Sequence, residues 1–164
     1  MTSDAAPQLS LGIFVGHGAH LDDAGIGSAD FPADDASHTG LRAGWKLGNV
    51  LVIEGELRLG SATFTDFKGS LHTLGYRAGV LLHLTPGDLS PFVSFGHGSD
   101  SFFTQGKGFD GARGLVANHV GLGLKFKRGE SVGLRLETRA VLNRAEGRTG
   151  TGLFEVDAGV YVEF

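Results

Sequence analysis

From Phe154 to its last residue the chain alternates without a break. Phe154, Val156, Ala158, Val160, Val162 and Phe164 stand against Glu155, Asp157, Gly159, Tyr161 and Glu163. A period of two is the mark of a β-strand, and here one face is apolar while the other carries carboxylates. Such a strand needs paired neighbours for its backbone and two different environments for its two faces. The same alternation should therefore recur along the chain, with turn signals between the repeats.

Seven further segments repeat it. The first, Pro7 to Leu21, sets Leu9, Leu11, Ile13 and Val15 on one face. The second, Thr39 to Gly48, sets Leu41, Ala43, Trp45 and Leu47 opposite Arg42, Gly44 and Lys46. After a tight Gly48-Asn49 turn, the third, Val50 to Ser61, opposes Leu51, Ile53, Leu57 and Leu59 to Glu54, Glu56 and Arg58. The fourth, Ser70 to Leu84, opposes Leu74, Tyr76, Ala78, Val80 and Leu82 to Arg77 and His83. Thr85-Pro86-Gly87-Asp88 is a turn signal, and the fifth segment follows over Ser90 to Phe103. Its register is blurred by Phe92, Val93 and Phe95. The sixth, Arg113 to Lys127, opposes Val120, Leu122, Leu124 and Phe126 to Gly121, Gly123 and Lys125. The seventh, Ser131 to Asn143, opposes Val132, Leu134, Leu136, Ala140 and Leu142 to Arg135, Glu137 and Arg139. The terminal run is the eighth.

The spacing predicts an all-β fold, an eight-stranded antiparallel up-and-down barrel. Two regularities decide which side of it faces outward. Connections after the second, fourth and sixth segments are short, while the others are longer, led by Asp22 to His38. Charge is also confined to the polar faces. Arg42, Lys46, Arg58, Arg77, Lys125, Arg135 and Arg139 are nearly balanced there by Glu54, Glu56, Glu137, Glu155, Asp157 and Glu163. A soluble barrel of the lipocalin kind gives the same alternation with its apolar face inside. Its wet exterior has no need of charge balance, whereas a closed lumen does, because a buried charge is costly unless paired. Each segment also has roughly the 9–11 residues with which a tilted strand crosses a bilayer. Trp45, Phe126 and Phe164 fall near the short-turn end and Phe154 near the other, as aromatic girdles at two membrane interfaces would.

Composition agrees. Gly accounts for 28 of 164 residues, against a usual share of roughly 7 per cent, with no collagen-like period. The excess suits turns and close packing in β-structure. The absence of Cys excludes disulfides and thiolate metal sites. A net charge of −4 without a basic cluster leaves nucleic acid no electrostatic footprint. No run approaches the 18 or so apolar residues of a membrane helix. One domain is expected over residues 1–164, a polar leader at 1–7 and the barrel at 8–164.

The chain resembles the small eight-stranded outer-membrane barrels, the class of the outer-membrane protein A transmembrane domain and its OmpX-type relatives. The sharper matches are Ser90-Pro91-Phe92-Val93, the strand from Val120 to Phe126, the strand from Ser131 to Leu136, and the terminal strand. That last strand resembles the signal read by the barrel-assembly machinery, with Gly159, Val162 and Phe164 in the expected places and Ala158 where a polar residue is usual. The resemblance implies a bacterial outer-membrane location with periplasmic termini. It also implies contact with membrane lipids and lipopolysaccharide, and a monomer without cofactor or metal. Only the barrel of outer-membrane protein A is matched, without its peptidoglycan-binding domain.

The region from Ser90 to Leu136 also resembles lipid A deacylases of the PagL type, barrels with a His-x-Ser pair on their lipid-facing side. By position that His falls on Thr138 and that Ser on Ala140, neither of which can serve as base or nucleophile. The loop that follows offers Glu146, with no His near it in sequence. Another His-x-Ser, His97-Gly98-Ser99, lies in an earlier strand, and in a chain with 7 His the spacing is expected by chance. The first long loop carries Asp22, Asp23, Asp30, Asp34 and Asp35, hard-oxygen donors for a divalent cation, and reads more simply as a solvated acidic loop. His17 and His20 precede it and point to opposite faces of their strand.

Eight strands leave an interior just wide enough for side chains to fill. Arg42, Lys46, Glu54, Glu56, Arg58, Arg77, Arg135, Glu137, Arg139, Glu155 and Asp157 are expected to form a charged network there that closes the barrel. Arg58 or Arg77 is expected to pair with Glu54 or Glu56. A structural or interaction role follows, with four loops displayed outward. The alternatives are a narrow channel, or a route for a small apolar ligand of the kind OmpW-type barrels would allow.

Overall fold

The computed structural model of the chain describes residues 8–20, 36–63, 70–105, 112–129, 131–144 and 151–164. Eight strands follow in order: β1 Gln8–His20, β2 Ala36–Leu47, β3 Leu51–Thr63, β4 Ser70–His83, β5 Leu89–Gln105, β6 Ala112–Arg128, β7 Val132–Arg144 and β8 Thr151–Glu163. Each pairs antiparallel with the next, and β8 returns to pair with β1, so the sheet closes on itself without an edge. The predicted all-β, up-and-down barrel is the fold found. The short connections turn on glycine: Gly48, Gly87 and Gly129 have φ of 65°, 133° and 76°, a region that side chains disfavour.

Apolar residues point out and charges point in. In β8, Phe154 is 42 % exposed while its neighbour Glu155 is 0 % exposed. The same inversion runs around the wall. Leu11, Ile13, Leu41, Leu57, Leu59, Leu122, Leu134 and Leu136 are all exposed, while Arg139, Glu137 and Asp157 are among the most buried side chains. An apolar belt of this extent is a surface that water covers only at high cost and hydrocarbon covers freely.

Inner aromatic rings explain part of the glycine excess. Phe14, Phe92 and Tyr161 each lie directly opposite a glycine on the neighbouring strand: Gly40, Gly123 and Gly133. A methyl group at Gly123 would stand 2.7 Å from Phe92 Cε1, so the ring fits there only because that position is bare. This also settles the blurred register of β5. Phe92 is inside at 1 % exposure, Phe95 is outside at 51 %, and Val93 shares the outer face with Phe95.

The interior is layered along the barrel axis. Near the short turns Val52, Leu81 and Phe92 form an apolar cluster, and near the longer connections Ala117, Val141 and Leu153 form another. The paired arginines and carboxylates lie between the two, and Lys125 stands at the short-turn mouth.

Candidate functional site

Six strands supply the charged layer, and their register decides what each side chain can reach. Arg42 on β2 is directly opposite Glu56 on β3 and donates to it through Nε at 2.8 Å. Its Nη2 crosses to Asp157 on β8 at 2.5 Å, and its guanidinium lies 3.9 Å over the Phe14 ring. Glu56 also accepts from Arg139 Nη2 at 2.7 Å. Glu137 accepts from Arg139 at 2.9 Å, from Arg135 at 2.7 Å and from the Ser94 hydroxyl at 2.6 Å. Arg135 continues to Glu54 at 2.5 Å. One connected group thus runs from Glu54 through Arg135, Glu137, Arg139, Glu56 and Arg42 to Asp157.

A second group stands beside it, towards the longer connections. Glu155 accepts from Arg58 at 2.5 Å and from Arg77 at 2.8 Å, and Arg77 reaches Asp100 at 2.9 Å. The expected partnership of Arg58 or Arg77 with Glu54 or Glu56 is corrected here. Arg77 faces Glu56 in the strand register, yet it extends past it to Glu155 and Asp100. Glu56 is already held by Arg42 and Arg139. A guanidinium on a long side chain can leave its wall neighbour for a carboxylate that lacks a partner.

The network differs from expectation at both its limits. Lys46 lies at the short-turn mouth, half-exposed, and forms no ion pair among the described residues. His38 and Asp100, which sequence reasoning passed over, belong to the network: His38 Nε2 lies 2.6 Å from Asp157 Oδ1. Extending the period-two face of β2 from Arg42 back through Gly40 would have found His38. Strand β2 begins at Ala36 rather than at the expected Thr39. Asp100 lies on the inner face of β5, whose register the sequence left blurred.

Buried charge in this interior balances. Arg42, Arg58, Arg77, Arg135, Arg139 and Lys125 are each at most 6 % exposed, against Glu54, Glu56, Asp100, Glu137, Glu155 and Asp157 at no more than 8 %. His38, Glu155 and Asp157 bring ligand-type atoms within 4.8 Å of one another. Both Glu155 oxygens are taken by arginines, and those of Asp157 by His38 and Arg42. A cation there would have to displace guanidinium groups, and the cluster's oxygens serve the network.

The remaining expected residues lie on the wall. Trp45, Phe126 and Phe164 are exposed at the short-turn end, and Phe154 is exposed towards the other. In β8, Gly159 is opposite Phe14, Val162 lies on the outer face, and the Phe164 amide donates to the Leu9 carbonyl at 2.9 Å. Thr138 and Ala140 are on the outer face of β7, and Thr138 donates to the Leu122 carbonyl. His97 is exposed on the outer face of β5, where its Nδ1 lies 2.8 Å from Asn118 Oδ1, and Ser99 shares that face. Asp22, Asp23, Asp30, Asp34, Asp35 and Glu146 lie outside the described residues.

No protein-family model matches this sequence, and no curated protein does either. Solved structures do match. Neisserial surface protein A superposes with a TM-score of 0.68 at 13 % identity, covering 96 % of this chain and 97 % of that one. The attachment invasion locus protein Ail of Yersinia pestis, in complex with the heparin analogue sucrose octasulfate, gives 0.65 at 14 % identity over 96 % and 99 %. The outer-membrane enzyme PagL gives 0.66 at 16 % identity over 90 % and 97 %. This chain has the fold of the small eight-stranded outer-membrane barrels. At such identities the likeness is one of fold, and the side chains that distinguish this barrel are its own.

Proposed function

We propose that this chain is an integral outer-membrane barrel whose lumen is closed, a scaffold that holds its four longer connections on the outer side. Both termini are then periplasmic, and lipids and lipopolysaccharide cover the apolar belt between girdles at Trp45, Phe126 and Phe164 on one side and Phe154 on the other. The barrel works as a monomer, and Gly159, Val162 and Phe164 present its last strand to the assembly machinery. The observation that carries the reading is the filling of the interior. An apolar cluster stands at each end of the charged layer, and the arginines and carboxylates between are tied to one another across the axis. The cavity beside Lys125 and Arg135 measures about 20 Å³. At that level of the lumen there is room for roughly one water.

The test is the conductance of refolded protein in a planar lipid bilayer, with insertion established independently by protease protection. Silence is expected from inserted protein. Steady unitary openings would overturn closure and make the narrow channel the better reading.

A second reading rests on the outer face of β5. An imidazole whose Nδ1–H is held by the Asn118 carbonyl presents Nε2 as a base, and Ser99 lies two residues along on the same face. These are parts of an acyl hydrolase acting on membrane lipid. No bond joins Ser99 to His97 among the described residues, so the reading ranks second. Fatty-acid release from lipopolysaccharide in isolated membranes, abolished by His97→Ala, would raise it to first.

A further inference from the structure

One buried cation in this interior is treated differently from the rest. Lys125, on β6, stands between Ser90 of β5 and Arg135 of β7 at the short-turn mouth and is 5 % exposed. Each of the five buried arginines touches at least one carboxylate. Lys125 touches none among the described residues. Its neighbour is the Tyr161 ring, with Nζ 4.9 Å from the centroid. The carboxylates that act on it are already engaged: Glu54 with Arg135 at 2.5 Å, and Glu163 with Lys127 at 2.8 Å. Lys46 adds a second ammonium at the mouth, and Arg135 a further positive charge facing Lys125.

His83 completes the rim without adding an anion. The Ser90 hydroxyl donates its proton to the Thr85 carbonyl at 2.7 Å. His83 Nδ1, 2.7 Å from that hydroxyl, must therefore be the donor in their bond. Among the described residues the mouth thus gathers Lys46, Lys125 and Lys127, with Glu163 taken by Lys127, Glu54 by Arg135, and Asp88 on the adjoining turn. An ammonium removed from water without a partner is costly, and the cost is relieved by an anion supplied from outside.

We propose that the short-turn mouth binds a small oxyanion of the phosphate class, held by Lys125 and Lys46. Lysine suits this role as a compact point charge with three donors and no demand for a planar partner. The 20 Å³ cavity behind Lys125 is too small for the anion, which sits at the mouth while the cavity holds a water. Free phosphate and the phosphate of a lipid headgroup share this chemistry, and experiment distinguishes them.

The full chain, refolded in a neutral detergent, is titrated calorimetrically in two arms, one with inorganic phosphate and one with dihexanoylphosphatidylglycerol. Saturable binding in the first arm identifies a free anion, and saturation confined to the second identifies a headgroup. Lys125→Met is expected to weaken either by roughly tenfold or more, the worth of one charge-assisted hydrogen bond. Lys46→Gln should weaken it less, and Arg128→Ala, exposed at the end of the same strand, should change nothing. Should Lys125→Met fail to refold, Lys46→Gln carries the comparison with Arg128→Ala. Heat that does not saturate, or binding equal in all variants, would mean an adventitious ion only and overturn the site.

Discussion

The arginines of the central layer and the lysine at the mouth are buried to the same degree but are held in opposite ways. Arg42, Arg135 and Arg139 each bridge two or more carboxylates contributed by different strands. Lys125 rests on an aromatic ring, with no carboxylate in contact among the described residues. In the centre, charge ties strands together across the lumen. At the mouth it is left over, available to something outside the chain. The contrast teaches that burial alone does not identify a structural ion pair. What identifies it is the number of strands that depend on the charge.

The largest expected effect comes from removing a carboxylate that serves two cations. Glu155→Gln keeps the shape of the side chain but leaves Arg58 and Arg77 without the carboxylate they share. Uncompensated buried charge of this kind costs about 3–5 kcal/mol. A urea titration of the refolded protein in micelles should show the midpoint falling accordingly. A drop below about 1 kcal/mol, the worth of a surface pair, would mean that the network does not hold the barrel. Arg135→Ala should cost less, about 2–3 kcal/mol, from the loss of charge-assisted bonds to Glu54 and Glu137. Glu137 keeps Arg139 and Ser94, which limits the damage. Unchanged thermal stability of this variant in detergent would count equally against the network.

Which residues face inward was legible in the sequence wherever the alternation was clean. Arg135, Glu137 and Arg139 could be placed together from β7 alone, because Leu134, Leu136 and Ala140 mark the opposite face. The partners were not legible. Register names a residue's neighbour in the wall, while a guanidinium reaches across the lumen, so Arg77 passes Glu56 for Glu155. Strand β5 was obscure for another reason. Phe92 and Val93 are both apolar and adjacent, and the bare position opposite Phe92, Gly123, leaves room for its ring inside. Asp100 was missed with it, since its face depends on that same register.

Glycine offers an intermediate test that touches no charge. At Gly123 an added methyl would press on the Leu136 carbonyl oxygen, 2.6 Å away, and on the Phe92 ring, which packs with Val52 and Leu81 and has the Arg135 guanidinium over it, 4.8 Å from its centroid. Gly123→Ala should therefore destabilise by about 1–3 kcal/mol through overpacking. Gly55→Ala provides the control. Nothing lies within 4 Å of the position its methyl would occupy, so its effect should stay within about 0.5 kcal/mol. Equal effects at the two positions would mean that the inner ring is not seated on Gly123.

The smallest expected effect is at Lys125, and it sharpens the comparison most. Replacing it with Met removes a desolvated ammonium and breaks no ion pair among the described residues, while the thioether can still lie against the Tyr161 ring. Apolar replacement of a buried charge is often neutral or stabilising. In phosphate-free buffer, the urea midpoint of Lys125→Met should therefore lie within about 1 kcal/mol of the parent, or above it. With added phosphate the parent should gain more stability than the variant, because a ligand that binds only the folded barrel shifts unfolding by mass action in proportion to its affinity. Adding phosphate should thus move the parent midpoint upward and the variant midpoint by less. A loss of several kcal/mol without phosphate would instead make Lys125 a strut like the arginines, and the contrast between mouth and centre would fail.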